Sequence, residues 1–147
     1  MATINDIGVP GQPLSTPPLT AWQAAVRDRF NTPIQGAYVR PSDLVGTAGA
    51  AMVCGTLTVA GATGRMVLIT AEFITDSSVT ANWTFYLKCG ATAVRFLTVN
   101  GIAAGGSRLY SLTGLGLAGS DTFTTEAVGS AGAVALRTGS GFTVTTI

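Results

Sequence analysis

Between residues 65 and 88 the chain reads RMVLITAEFITDSSVTANWTFYLK, two alternating runs joined by a polar turn. Successive side chains of a strand point to opposite sides. In the first run, residues 66–74, Val67, Ile69, Ala71 and Phe73 therefore fall on one face, and Met66, Leu68, Thr70, Glu72 and Ile74 on the other. Both faces are substantially apolar. In the second run, residues 80–88, Ala81, Trp83, Phe85 and Leu87 alternate with Thr80, Asn82, Thr84, Tyr86 and Lys88, so a single buried face is expected. A strand that is apolar on both faces needs a second cover, and a chain of 147 residues has little left to supply it. The expected cover is another copy of the chain.

The same alternation, rich in Thr and Val, predicts strands at about 52–60, 66–74, 80–88, 91–99, 108–117, 122–128, 133–137 and 142–147. Glycine-bearing connections at 61–64, 89–90, 100–101 and 139–141 supply the positive-φ positions that tight turns require. Strands at this spacing argue for an antiparallel two-sheet sandwich or barrel. The N-terminal part differs. Residues 1–18 hold four of the six prolines and read as an extended arm. Thr20 and Gln23 then fit a capping box, the Thr hydroxyl accepting from an orphan amide while Gln reaches back. A short helix to about Phe30 follows, with Trp22, Val26 and Phe30 as one narrow apolar stripe for anchoring. So short a helix must dock, whether onto its own domain, onto symmetry mates or onto a larger assembly. Residues 31–42, with Pro33, Gly36 and Pro41, read as a linker or a crossing segment. The expected division is an arm, helix and linker over 1–43 and a head domain over 44–147.

Composition strengthens the case for association. Charged residues make up 10% of the chain and apolar ones 47%, with a mean hydropathy of +0.46. A soluble domain ordinarily carries roughly 25% charged residues. The net charge of +1, with no run of Lys or Arg, leaves no electrostatic footprint for nucleic acid or an anionic membrane. The start of the chain carries Asp6 and Pro10 and lacks the basic and apolar stretches of a secretory signal. The least charged segment, 44–64, is broken by Gly and Thr and alternates as a strand does, which disfavours a membrane span. Cys54 and Cys89 stand at no metal-like spacing. Two small buried thiols are the favoured reading, and a disulfide between them stays open.

Candidate chemistry is sparse. Gly114, Gly116 and Gly119 form a literal G-x-G-x-x-G, but the following SDTFTTEAV is strand-like, so the helix N-terminus that would hold a pyrophosphate is missing. Asn82-Trp83-Thr84 is a glycosylation sequon, incidental without secretion. With no histidine and seven scattered carboxylates, no catalytic residue, cofactor or metal site is expected. Glu72 and Asp76 are the nearest approach to a calcium site, and solvated charges beside a turn explain them better. Aromatic rings can stack on sugars, but Trp83 lies on the apolar face and is assigned to the core. Tyr86 points the other way and is the candidate exposed ligand contact, for a host cell-surface glycan.

Two resemblances add to this reading. The opening MATINDIGVPGQPLS followed by AWQAAVRD resembles the start of minor tail proteins from tailed bacteriophages of actinobacteria. The remainder, through RLYSLTGLGLAGSD and the closing GFTVTTI, is similar to the tumour-necrosis-factor and C1q-like jelly roll, whose alternating leucines precede a Gly-Asp pair; here Ser120 separates Gly119 from Asp121. The resemblance implies a homotrimer of two-sheet jelly rolls whose inner sheets face the threefold axis. Residues 66–74 and 108–117 would be inner and 80–88 outer. Met66, Leu68, Thr70, Tyr110 and Leu112 would then line the oligomer interface. The implied role is a non-enzymatic virion structural protein, a small trimeric tail component held among other virion proteins by its arm, assembled in the host cytoplasm without nucleic-acid contact or membrane insertion. A capsid decoration or head-fibre protein and a glycan-binding module are the alternatives.

Overall fold

The computed structural model describes residues 21–23 and 32–147. The chain divides into two units, Met1–Pro33 and Ile34–Ile147. In the first, residues 21–23 are helical and Trp22 is 67% exposed. Val26, Phe30 and the arm of residues 1–18 lie outside the described residues.

The second unit contains ten strands: β1 (Gln35–Val39), β2 (Leu44–Thr47), β3 (Met52–Thr58), β4 (Met66–Ser77), β5 (Ala81–Cys89), β6 (Thr92–Ile102), β7 (Arg108–Leu117), β8 (Thr122–Gly129), β9 (Ala133–Leu136) and β10 (Gly141–Thr146). They form two antiparallel sheets. One runs β1-β10-β4-β9-β2, and β7 also pairs with β4. Val67 to Glu72 pair with β10 and with β7 at once, so these two strands flank β4. The other sheet runs β3-β8-β5-β6. As expected, the strand apolar on both faces and the strand apolar on one face belong to different sheets, and β7 joins the sheet of β4.

The core lies between the sheets and is set by the alternation. Val67, Ile69, Ala71 and Phe73 of β4 are buried, as are Ala81, Trp83, Phe85 and Leu87 of β5. Phe85 sits at the centre of an aromatic cluster, with ring centroids 4.7 Å from Phe73, 5.0 Å from Tyr110 and 6.1 Å from Trp83. Such pairs add to the area they bury. Trp83 is core, as its face predicts. Cys54 and Cys89 are both buried and free. Burial raises the Cys54 thiol above its ordinary pKa, partly offset by the Thr125 hydroxyl and the Arg40 charge.

Three expectations need correction. Residues 31–42 are neither simply a linker nor a crossing segment, because β1 pairs with β10 from Gln35↔Thr145 to Val39↔Gly141. Its few strong strand formers lie between Pro33 and Pro41, which hid it in the sequence; the edge of β10 recruits it. The compact head therefore begins at Ile34, not residue 44. Arg40, expected in the arm portion, ties β1 to the opposite sheet by donating to the carbonyls of Val53 (3.2 Å) and Cys54 (2.8 Å). Asn100-Gly101 is not a turn between strands. Gly101, at φ 65°, lies within β6 where the register against β5 shifts, and its amide donates to Asn82 Oδ1 at 2.8 Å. A bulge with a left-handed glycine explains the same signal. The segment 44–64 holds β2 and β3, and among the described residues no helix is long and apolar enough to cross a membrane.

Candidate functional site

The six-stranded sheet turns an aliphatic face outward. Opposite residues of paired strands share a face, and register places Met66 against Leu117, Leu68 against Leu115, Thr70 against Thr113, Glu72 against Ser111 and Ile74 against Leu109. Ile147 reaches the same end of β4, its amide donating to the Met66 carbonyl at 2.9 Å. Met66, Leu68, Leu115, Leu117 and Ile147 are 37–69% exposed. Within the five pairs Glu72 carries the only charge. These aliphatic side chains lie side by side on one exposed sheet face.

Met66, Leu68 and Thr70 thus stand on the outward face the sequence assigned them. Tyr110 and Leu112 do not. Leu112 is 6% exposed in the core, and Tyr110 packs against the same core beside Phe85. Alternation separated the two faces of β7 correctly, but the choice of the face that leaves the protomer was inverted. Glycines explain the inversion. A Cβ on Gly114 would lie 3.0 Å from Arg95 Cβ and 3.2 Å from Leu87 Cδ1, and one on Gly116 3.1 Å from Val94 Cγ1. The inward positions at this end of β7 are glycines because β5 and β6 close in on them, so Leu115 and Leu117 are left outside. The same glycines dispose of the dinucleotide motif: Gly114 and Gly116 are strand residues, and β8 follows Gly119.

The four-stranded sheet has a different outer face. Register aligns Phe96, Tyr86, Glu126 and Val53 in one row across β6, β5, β8 and β3. Tyr86 is half-buried, while Phe96, unremarked in the sequence, is 63% exposed. Their ring centroids are 6.2 Å apart at 34°. Lys88 Nζ lies 5.8 Å from the Tyr86 centroid and 2.7 Å from Glu126 Oε2. Thr84 and Thr98 beside this row bring their hydroxyls to 3.1 Å.

Two carboxylate arrangements escaped the sequence reading, since they join residues far apart in the chain. Arg137 donates to Asp43 at 2.8 Å and to Asp76 at 2.6 Å. Asp43 also accepts from the Thr138 amide, the largest cause holding its carboxyl below the ordinary value, followed by Arg137. Asp76 is thus committed to a guanidinium. It stands four positions along the strand from Glu72, roughly 13 Å away, so the two carboxylates do not converge on one cation. Among the described residues no three potential metal ligands come together. Asp121 instead clasps the 61–63 loop, accepting from the amides of Gly61 (3.0 Å) and Thr63 (2.7 Å) and from the Thr63 hydroxyl (2.6 Å). These bonds, the Thr63 hydroxyl first, lower its pKa from 3.8 to about 2.

The strand order defines a jelly roll, one sheet of β1, β10, β4 and β7 facing another of β3, β8, β5 and β6, with β9 and β2 extending the first. Two kinds of solved structure share it. The Eiger TNF from S. frugiperda aligns with a TM-score of 0.57 at 7% identity, over 78% of this chain and 92% of Eiger. VP2 in the infectious bursal disease virus subviral particle aligns with a TM-score of 0.53 at 16% identity, over 80% of this chain and 33% of VP2. The chain thus spans about a third of the viral protein it matches. No family model and no curated protein matches the sequence. At these identities the likeness is one of fold.

Proposed function

We propose that the protein is a non-enzymatic structural component of a virion, a small homotrimeric tail protein whose jelly-roll head associates through the outward face of the six-stranded sheet and whose N-terminal arm attaches it to other virion proteins. The observation that carries this reading is the exposed cluster of Met66, Leu68, Leu115, Leu117 and Ile147 at one end of β4 and β7. In a chain with 10% charged residues, self-association is the economical way to cover it. The viral neighbour lends support to a virion role, and the opening thirty residues to the tail. Light scattering on the purified chain tests the head: a trimer is expected, and a monomer at micromolar concentration would overturn the assembly. Deleting residues 1–33 should leave the trimer intact and abolish its incorporation into particles.

The VP2 likeness favours one second reading, a capsid decoration or head-fibre protein of the same design. Mass spectrometry of separated heads and tails distinguishes the two, since the protein should partition with only one of them.

A further inference from the structure

We propose that the outer face of the four-stranded sheet is a binding platform for a neutral polysaccharide, centred on Phe96 and Tyr86. Phe96 is 63% exposed and has the Tyr86 ring beside it, so the face carries an exposed aromatic pair rather than a lone surface hydrophobe. Phe96 is directly opposite Tyr86 in register, and the two rings, 6.2 Å apart and tilted by 34°, form a shallow apolar strip. That spacing is close to the repeat of one pyranose ring along an extended glycan, whose C–H faces stack on aromatic rings.

The groups around the strip define the ligand class. Glu126 is opposite Tyr86 in register, and Lys88, two residues further along β5, reaches back to it at 2.7 Å with its Nζ 5.8 Å from the Tyr86 centroid. The pair offers donors and an acceptor without net charge, which suits the hydroxyls of a neutral sugar and gives nothing to an anionic polymer. The Thr84 and Thr98 hydroxyls continue the polar border. The aliphatic surface of Met66, Leu68, Leu115 and Leu117 has no such alternation of ring and hydroxyl. The two surfaces also lie on opposite sides of the sandwich, so assembly through one leaves the other facing outward. A trimer would present three platforms, and avidity would raise the retention of weak individual sites.

This inference stands apart from the virion reading. The test titrates the full chain with cellohexaose, mannohexaose, xylohexaose and a galactan hexasaccharide, with sulfated dextran as the charged comparator, reading amide chemical shifts and calorimetry. A neutral hexasaccharide should bind in the millimolar range or tighter and shift the amides of β5 and β6. Phe96→Ala should weaken it by about tenfold, the scale of losing an aromatic anchor from a binding face. Phe96→Trp should retain binding, which guards against a mere folding defect, and Glu126→Gln should weaken it without changing the oligomer. Binding of none of the four sugars, binding of sulfated dextran alone, or full affinity in Phe96→Ala would overturn the proposal. None of these results bears on the oligomeric state measured for the head.

Discussion

Replacing Leu115 and Leu117 together by Thr should dissociate the protein while leaving each head folded. The two leucines are 57% and 66% exposed in the single chain. Assembly would take roughly 200 Å² of their apolar surface out of water, worth about 5 kcal/mol per protomer at ~25 cal/mol per Å². Threonine retains part of this, yet losing even half is close to a hundredfold in a dissociation constant, by the rule of about 1.4 kcal/mol per decade. Within the protomer little changes. Threonine is a good strand former, and exposed substitutions of this kind usually stay within about 0.5 kcal/mol. Light scattering should therefore move from trimer to monomer. Thermal melts should lose their dependence on protein concentration, because only an oligomer couples folding to mass action. An unchanged mass in the double variant, or a wild-type chain that is already monomeric, would refute the assignment of this face.

Three further outcomes follow from particular contacts. Phe85→Ala removes the ring that touches Phe73, Trp83 and Tyr110, and should cost about 3–5 kcal/mol, read as a lower urea midpoint at unchanged slope. Gly129→Ala would bring a methyl to 2.5 Å from Val134 Cγ1 and 3.2 Å from Trp83 Cη2, and overpacking there should destabilise by about 1–3 kcal/mol in the same assay. Asp121 has its pKa lowered from 3.8 to about 2 in the folded chain, so the stability it contributes is present above the ordinary carboxylate range and is lost as pH falls through that window. Asp43, lowered in the same direction, adds to the slope. Melting temperatures of the wild type should fall between about pH 4 and pH 2 more steeply than those of Asp121→Asn; equal slopes would show that the clasp on the 61–63 loop is not the acid-sensitive element.

Much of the head was legible in the chain alone, and the reason is the period of the strand. Alternation over 66–74 and 80–88 separated core from surface residue by residue, put Trp83 inside, and distinguished a strand apolar on both faces from one apolar on a single face. Composition added that charge is scarce, at 10% of the chain. These features are local, since each side chain's face follows from its neighbours' parity. What alternation cannot say is which of two apolar faces meets the protomer's own core. On β7 that choice fell to the opposing sheet: Leu87, Val94 and Arg95 crowd Gly114 and Gly116, so Tyr110 and Leu112 point inward while Leu115 and Leu117 point out. Register decided the rest. It recruited Gln35–Val39 as an edge strand against β10, set Phe96 against Tyr86, and joined Asp43, Asp76 and Arg137 across long stretches of chain. Parity is written in the sequence, whereas pairing depends on which strands come to lie side by side, and only the folded sandwich determines that.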